Sequence, residues 1–372
     1  TDLGEIYCFS GDGPSGAGPR VIDEVKKQEA SVSSEENPAH VKVKQLLQET
    51  SVDRGYGVVL GIGDGENLDA LLAQSELNLI VLEPDAEKVA EFRRRLDNAD
   101  LYGERISVQN GDLFSISLPP YLAHFIFSEH LDAAGFAKGQ AFTEKLFQVL
   151  RPYGGVACLH LTPDQQEQFS NWVQTAQLNK GVVQRTQNDS YTLLTRVGSL
   201  PDTDDWTHQY GNSANTVVSK DKLVKSPMGV LWFGGPSNEK VLPRHGHGPN
   251  PQVAGDRLFI EGRDMLHCVD VYTGLLLWER EFLDLGKNYD YTSHEPGAGA
   301  IGSNYVSLED DVYLIQGNTC YRLDAATGET LACFKTPVTP DSTEHPDWGF
   351  LSIHGDVIVA GIQPVEFDTH AF

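Results

Sequence analysis

The pattern that most constrains the fold of this chain is an alternation of short apolar runs with longer amphipathic segments between residues 37 and 198. In the segment 86–96, Val89, Phe92 and Leu96 share one helical face. Strands that alternate with helices of this size predict a parallel sheet with helices on both faces. The predicted strands are 58–60, 79–82, 106–108, 123–127 and 156–161, and the predicted helices begin at 67, 86 and 142.

A second pattern begins after residue 200, where Gly, Trp, Tyr and short β-branched runs replace the helical periods. Landmarks recur there 54 residues apart: Asp270 recurs as Asp324, and Gly274 recurs as Gly328. A third copy begins at Gly355. Each copy predicts strand, turn, strand, an Asp-x-x-Thr-Gly turn and a further strand, as in a four-stranded propeller blade. The alternative is a set of unrelated hairpins that share common turn residues.

Residues 256–281 and 310–335 resemble the blades of β-propellers of the pyrroloquinoline quinone (PQQ) type, which run strand, D-x-x-T-G, L-x-W. The resemblance covers 205–372 and implies an incomplete propeller, because this length provides little more than three blades and a ring needs about four to eight. In the second copy Ala332 stands where the first has Trp278.

Residues 3–9 resemble the blade strand at 265–269. We therefore predict a stray blade strand within 1–15 and a linker over 16–36. We expect residues 3–9 to pair with sheet built from residues beyond 200, with the intervening domain inserted between blades.

The region 37–198 resembles class I S-adenosylmethionine-dependent methyltransferases. The resemblance implies a multidomain chain, with an α/β Rossmann-like domain that binds S-adenosylmethionine and an all-β partial propeller. The motifs that carry it are Gly61-x-Gly63-x-Gly65 after a strand, Glu83-Pro84-Asp85, Gly111-Asp112-Leu113 and Leu150-Arg151-Pro152-Tyr153-Gly154-Gly155.

In such enzymes the cofactor is held at the ends of three successive strands. Glycines without Cβ atoms let a ligand approach the backbone, and the following helix offers free N–H groups. A carboxylate at Glu83 can accept hydrogen bonds from ribose hydroxyls, although it can also be a helix-start charge. Asp112 is expected at the adenine, or else is an ordinary turn residue. The implied cofactor residues are Gly61, Ile62, Gly63, Gly65, Glu83, Asp112 and Leu113.

Glu129 and His130 follow the fourth predicted strand and are the candidate catalytic residues on the acceptor side. His130 is a possible general base or a plain surface-loop residue. One position departs from the family pattern, since Val59 stands where an acidic residue usually precedes the first glycine, and Asp64 is the carboxylate nearest to the loop. A nicotinamide site is disfavoured, because Glu66 breaks the G-x-G-x-x-G pattern.

His245 and His247, with His294 as a third ligand, are weak candidates for a metal site, although Gly and Pro around them are more typical of a turn. Trp206, Trp232 and Trp278 are expected to be core aromatics. The adjacent cysteine pair that quinoprotein dehydrogenases carry near their cofactor is missing, so the blade resemblance implies the fold and not PQQ.

The chain carries 53 acidic and 28 basic side chains, a net charge of −25, which disfavours nucleic acid and anionic lipid as partners. It has no apolar run long enough to span a membrane. Five scattered cysteines favour reduced thiols and a cytoplasmic location. Because residue 1 is Thr and the first Met is Met228, we expect a processed chain or a fragment.

The residues favour a methyltransferase of unknown acceptor joined to a propeller that binds a protein partner or a ligand. The alternative is a non-catalytic scaffold, with a degenerate methyltransferase fold and a propeller that binds a partner. A quinoprotein-type oxidoreductase is the lesser alternative.

Overall fold

The computed structural model describes residues 37–243, 245, 247–287, 289–290, 297–338, 340 and 343–362. The predicted strand at 3–9, the linker at 16–36 and His294 lie outside this part of the chain. Two structural units are present, an α/β domain over residues 37–198 and a β-rich unit over residues 205–362.

The α/β domain follows the predicted alternation, with three additional helices and a terminal hairpin. Its helices are α1 (Pro38–Thr50), α2 (Glu66–Gln74), α3 (Ala86–Asn98), α4 (Leu131–Ala134), α5 (Gln140–Val149) and α6 (Pro163–Thr175). Its strands are β1 (Arg54–Leu60), β2 (Glu76–Glu83), β3 (Ile106–Asn110), β4 (Phe125–Ser128), β5 (Gly155–Leu159), β6 (Gly181–Arg185) and β7 (Thr192–Arg196).

These strands form one seven-stranded sheet in the order β3-β2-β1-β4-β5-β7-β6. β1 to β5 are parallel, as the alternation predicts, but β7 runs antiparallel to both β5 and β6. The five predicted strands are thus parallel as expected, and the unpredicted strands β6 and β7 add an antiparallel edge. Only a short turn joins β6 to β7, whereas a parallel pair needs a crossover of a dozen residues or more. The expected α/β Rossmann-like fold is confirmed.

Helices cover both faces of the sheet. On one face α1, α2 and α3 bury Val43, Leu71 and Phe92 against β1, β2 and β3. On the other, α5 and α6 bury Phe142 and Phe169 in a second cluster with the alternate residues of the same strands. Because helices cover these strands on both faces, the sequences of the strands are near-continuous apolar runs.

The β-rich unit contains three antiparallel sheets. Its strands are β8 (Gln252–Ala254), β9 (Arg257–Gly262), β10 (Met265–Asp270), β11 (Leu276–Glu281), β12 (Tyr305–Ser307), β13 (Asp311–Gln316), β14 (Thr319–Asp324), β15 (Thr330–Lys335), β16 (Trp348–His354) and β17 (Val357–Ile362). β8 to β11 and β12 to β15 form two four-stranded sheets, and β16 pairs with β17. The last three strands of the first sheet begin 54 residues before their counterparts in the second, as the repeat predicts. Among the described residues the sheets do not close into a ring.

The two units meet at the amino-terminal edge of the parallel sheet. Arg151, which precedes β5, forms ion pairs with Asp270 and, at 2.7 Å, with Asp256. His124, which precedes β4, lies 3.5 Å from Asp270, and the Tyr121 ring meets Tyr272 edge-on. These contacts lie away from the opposite, carboxyl edge of the sheet. No helix among the described residues is long and apolar enough to cross a membrane.

Candidate functional site at the carboxyl edge of the sheet

The strand order places a crevice above the carboxyl ends of β1 and β4. β2 pairs with one side of β1, and β4 pairs with the other side of β1. In open α/β sheets this reversal of strand order is where ligands bind. A cavity of about 460 Å³ lies here, which is within the usual range for small-molecule sites. Its lining includes Gly63, Glu83, Lys88, Glu129, His130, Asp132, His160, Thr162 and Gln165.

Gly61, Gly63 and Gly65 shape the turn from β1 into α2. The Gly61 N–H donates to the Leu82 carbonyl at 2.8 Å, which ties the loop to β2. Gly65 has a positive φ of 90° at the N-cap of α2 and has no side chain to cap the helix. The first N–H group, that of Glu66, donates to Asp64 Oδ1 at 3.0 Å.

The His130 ring packs over this loop. A Cβ atom on Gly63 would lie 2.0 Å from His130 Nε2, and one on Gly61 would lie 2.7 Å from His130 Cβ. The His130 N–H donates to Ser128 Oγ, which in turn donates to the Leu60 carbonyl at the end of β1. The space of the missing Cβ atoms is thus filled by a side chain of the protein itself. His130 is exposed to solvent just before α4, and its role as a general base stays a prediction.

Glu83 is the best-positioned carboxylate of the site. It ends β2, is only 5% exposed and lines the cavity. Its Oε2 accepts a hydrogen bond from the Ile62 N–H at 2.9 Å, and its Oε1 accepts one from the Asp85 N–H at 3.0 Å. The side chain that caps α3 is Asp85, which accepts from the N–H groups of Glu87 and Lys88. Glu83 is therefore not the helix-start charge of the alternative interpretation.

Glu129 is held by three elements at once. Its carboxylate accepts hydrogen bonds from Lys42 at 2.7 Å, from Asn67 at 2.6 Å and from the Tyr191 hydroxyl. Burial raises the pKa of Glu129, but the hydrogen bonds from Lys42 and Tyr191 outweigh it and leave the pKa below its ordinary value. An ionised carboxylate that already accepts three hydrogen bonds is a weak base, so Glu129 is better placed to orient neighbours than to remove a proton.

Asp112 does not line the cavity. Its Oδ1 accepts hydrogen bonds from the N–H groups of Phe114 and Ser115 and from the Ser115 hydroxyl. Burial raises the pKa of Asp112, and these bonds lower it below its ordinary value. Leu113 is fully buried in the core. The Asp112 carboxylate thus bonds within its own turn, and the Leu113 side chain packs in the core, so their contact with an adenine stays a prediction.

Val59, which departs from the family pattern, and the nearby carboxylate of Asp64 also lie away from the cavity. Val59 is buried within β1, at 3% exposure. Asp64 is exposed, and its Oδ1 accepts from the Glu66 N–H at 3.0 Å. Neither therefore provides a carboxylate for the amino group of an amino-acid ligand.

Several cavity residues were not expected from the sequence. His160, Thr162 and Gln165 follow β5, the next strand whose carboxyl end reaches the crevice. Thr162 and Gln165 form a capping box at the start of α6, and the sequence Thr162-Pro163-Asp164-Gln165 carries the signal that would have found it. Lys88 and Asp132 come from the first turns of α3 and α4.

The candidate metal ligands are not assembled in the described part of the chain. No group of three His, Cys, Asp or Glu side chains suited to a metal ion occurs there. His247 lines a separate cavity in the β-rich unit.

No family model matches this chain, and no curated protein matches it. Solved structures with a similar fold cover the N-terminal half. A candidate S-adenosyl-L-methionine-dependent methyltransferase from Methanococcus maripaludis is 14% identical, with 44% of this chain and 87% of that chain covered and a TM-score of 0.38. An S-adenosylmethionine-dependent methyltransferase from Aquifex aeolicus is 16% identical, with 44% of this chain and 94% of that chain covered and a TM-score of 0.33. The [4+2]-cyclase SpnF is 12% identical, with 42% and 66% covered and a TM-score of 0.34. At these identities and TM-scores the likeness assigns neither a cofactor nor a reaction to this chain.

Proposed function

We propose that the α/β domain is an S-adenosylmethionine-dependent methyltransferase whose cofactor and acceptor meet in the cavity at the carboxyl edge of its sheet. The observation that carries the proposal is Glu83, a buried carboxylate that lines this cavity at the end of β2. Within the described part of the chain two N–H groups are bound to its oxygens, and an ionised carboxylate has about four lone-pair sites. Glu83 can therefore accept two ribose hydroxyls as well.

The chemistry asked of the protein is modest. S-adenosylmethionine supplies a methyl group that a sulfonium already activates, so the protein mainly has to bind and orient the reactants. Glu83 would hold the nucleoside, and the N–H groups at the start of α2 would face the methionine part. His130 and His160 line the acceptor side of the cavity.

One observation favours a second candidate function, a non-catalytic scaffold. The His130 ring occupies the space that the loop glycines leave free, and no carboxylate replaces the family's acidic residue at Val59. Cofactor binding requires the His130 ring to turn away from Gly63. A scaffold would retain the fold with the ring in place.

We also infer that the three sheets of the β-rich unit are blades of a β-propeller. Their first strands lie side by side: the Gln252 side chain bonds to backbone groups of Tyr305 and Ser307 on β12, and the Leu351 N–H of β16 donates to the Ser303 carbonyl just before β12. The spacing of 54 residues between the first two sheets supports a repeating unit. Binding of a protein partner through its loops stays a prediction.

Calorimetric titration of the protein with S-adenosylhomocysteine tests the methyltransferase proposal. We expect saturable binding and a rise in the melting temperature, because a ligand that binds the native state stabilises it. NAD is the matched control. Its ribose could also bind the Glu83 carboxylate, but its negatively charged diphosphate would not suit a site beside that carboxylate. No heat and no thermal shift at millimolar ligand would favour the scaffold, and tighter binding of NAD would overturn the proposal.

A further inference from the structure

Residues 228–233 form an apolar segment whose side chains are largely exposed. Met228 is 78% exposed, Val230 83% and Phe233 101%. No strand among the described residues pairs with this segment. Contiguous exposed apolar side chains commonly mark a surface that another segment or protein covers.

Trp232 anchors this segment on the first sheet. Its Nε1 donates to the Val271 carbonyl at 2.9 Å. The ring also packs against Gly274, where a Cβ atom would lie 2.3 Å from it. Both contacts are with the Asp-x-x-Thr-Gly turn between β10 and β11.

The same contact recurs one repeat later. Trp278 on β11 donates through Nε1 to the Ala325 carbonyl at 3.0 Å and packs against Gly328, where a Cβ atom would lie 2.8 Å from its ring. Ala325 and Gly328 follow Val271 and Gly274 by 54 residues. Trp232 therefore contacts the first sheet in the same way as Trp278 contacts the second sheet. Trp278 lies on β11, the fourth strand of the first sheet.

We propose that residues 228–233 are the fourth strand of a further sheet of the β-rich unit, and that residues 3–9 of the same chain pair with them as its third strand. The register follows from the first sheet, where Cys268 of β10 lies opposite Trp278 of β11. Glu5-Ile6-Tyr7-Cys8-Phe9 matches residues 265–269, so Cys8 lies opposite Trp232.

In this pairing the α/β domain is inserted into the turn between the third and fourth strands of the proposed sheet. In the first sheet residues 271–275 connect β10 to β11. In the proposed sheet the whole α/β domain occupies the equivalent connection, between residues 9 and 228. Such an insertion is tolerated because a folded insert fixes its own ends, and the closure entropy grows only slowly with length.

Disulfide trapping in the full chain tests the proposed register. In that register Tyr7 lies opposite Phe233, as His267 lies opposite Glu279. Tyr7→Cys with Phe233→Cys, in a Cys8→Ser and Cys333→Ser background, is expected to form an intramolecular disulfide under mild oxidation, because Cα atoms of facing residues are about 4.5–5.5 Å apart. Electrophoresis without reductant and peptide mass spectrometry would detect it.

Tyr7→Cys with Val230→Cys is the matched control, since Val230 is also largely exposed, at 83%, but lies opposite Phe9 in the proposed register. No linkage, or equal linkage in the two pairs, would overturn the register. Linkage between molecules would mean that a second copy covers the segment, and the insertion would be wrong.

A deletion of residues 1–12 provides an independent measurement. It is expected to increase the binding of a hydrophobic dye, because Met228, Val230 and Phe233 lose their cover. A synthetic peptide of residues 1–12 should reverse the increase. Unchanged dye binding after the deletion would contradict the proposal.

Discussion

At the scale of single residues, Glu83 and Asp112 show how two carboxylates at equivalent strand ends differ. Glu83 lies on the cavity with lone pairs to spare, whereas Asp112 accepts three hydrogen bonds from its own turn. The two side chains point in different directions. Residue type and spacing in the sequence do not determine the direction of a side chain.

Glu83→Ala is therefore expected to weaken S-adenosylhomocysteine binding about 12- to 150-fold. That range corresponds to about 1.5–3 kcal/mol, the usual value of hydrogen bonds to a charged group. Calorimetry measures the affinity, and thermal unfolding checks that the variant is folded. Asp112→Asn is the control and should bind like the wild type. Equal loss in both variants would place the nucleoside elsewhere.

At the scale of elements, the start of α6 forms one wall of the cavity. Thr162 Oγ1 accepts from the Gln165 N–H at 3.4 Å, and the Gln165 side chain accepts from the Thr162 N–H at 2.9 Å. This reciprocal cap satisfies two N–H groups that a helix start leaves without partners.

Thr162→Ala should lower the free energy of unfolding by about 1 kcal/mol, the typical cost of losing an N-cap side chain. Urea unfolding measures the change. Thr162→Ser retains the hydroxyl and should cost much less. If the serine variant is as unstable as the alanine variant, the methyl group of Thr162 matters and the cap does not.

At the scale of the whole molecule, the α/β domain and the β-rich unit are joined through Asp270. Its Oδ1 accepts from the N–H groups of Tyr272 and Thr273 in its own turn, and its Oδ2 meets Arg151 and His124. Burial alone would raise the pKa of Asp270, but the hydrogen bond from His124 and the charge of Arg151 lower it to about 2. The equivalent Asp324 caps its turn in the same way but is only half-buried.

Asp270→Asn should retain the turn and lose the ion pair, which lowers the free energy of unfolding at pH 7 by about 2 kcal/mol. Because the folded pKa lies below the ordinary 3.8, the stabilisation is complete above that pH and is lost as the pH falls toward 2. Unfolding of both proteins between pH 7 and pH 2 should show the difference shrink over that window. Asp324→Asn is the matched control and should change little. A difference that grows on acidification would contradict the assignment.

Local patterns in the sequence predicted much of this architecture. The apolar runs and the helical period of 86–96 predicted β1 to β5 and α3, because each element buries side chains at its own repeat. The spacing of 54 residues predicted three equivalent strands in each four-stranded sheet. Glu83 was predicted on the right strand end.

Tertiary structure alone decided the direction of side chains and the contacts between distant elements. The antiparallel β7, the His130 ring over Gly63, the turn-bound Asp112 and the Arg151–Asp270 pair join residues far apart in sequence or depend on one side-chain direction among several. Periodicity determines which face of an element is apolar, because that face must leave water. It does not determine which polar side chain reaches a given partner, because the partner comes into reach only once the chain has folded.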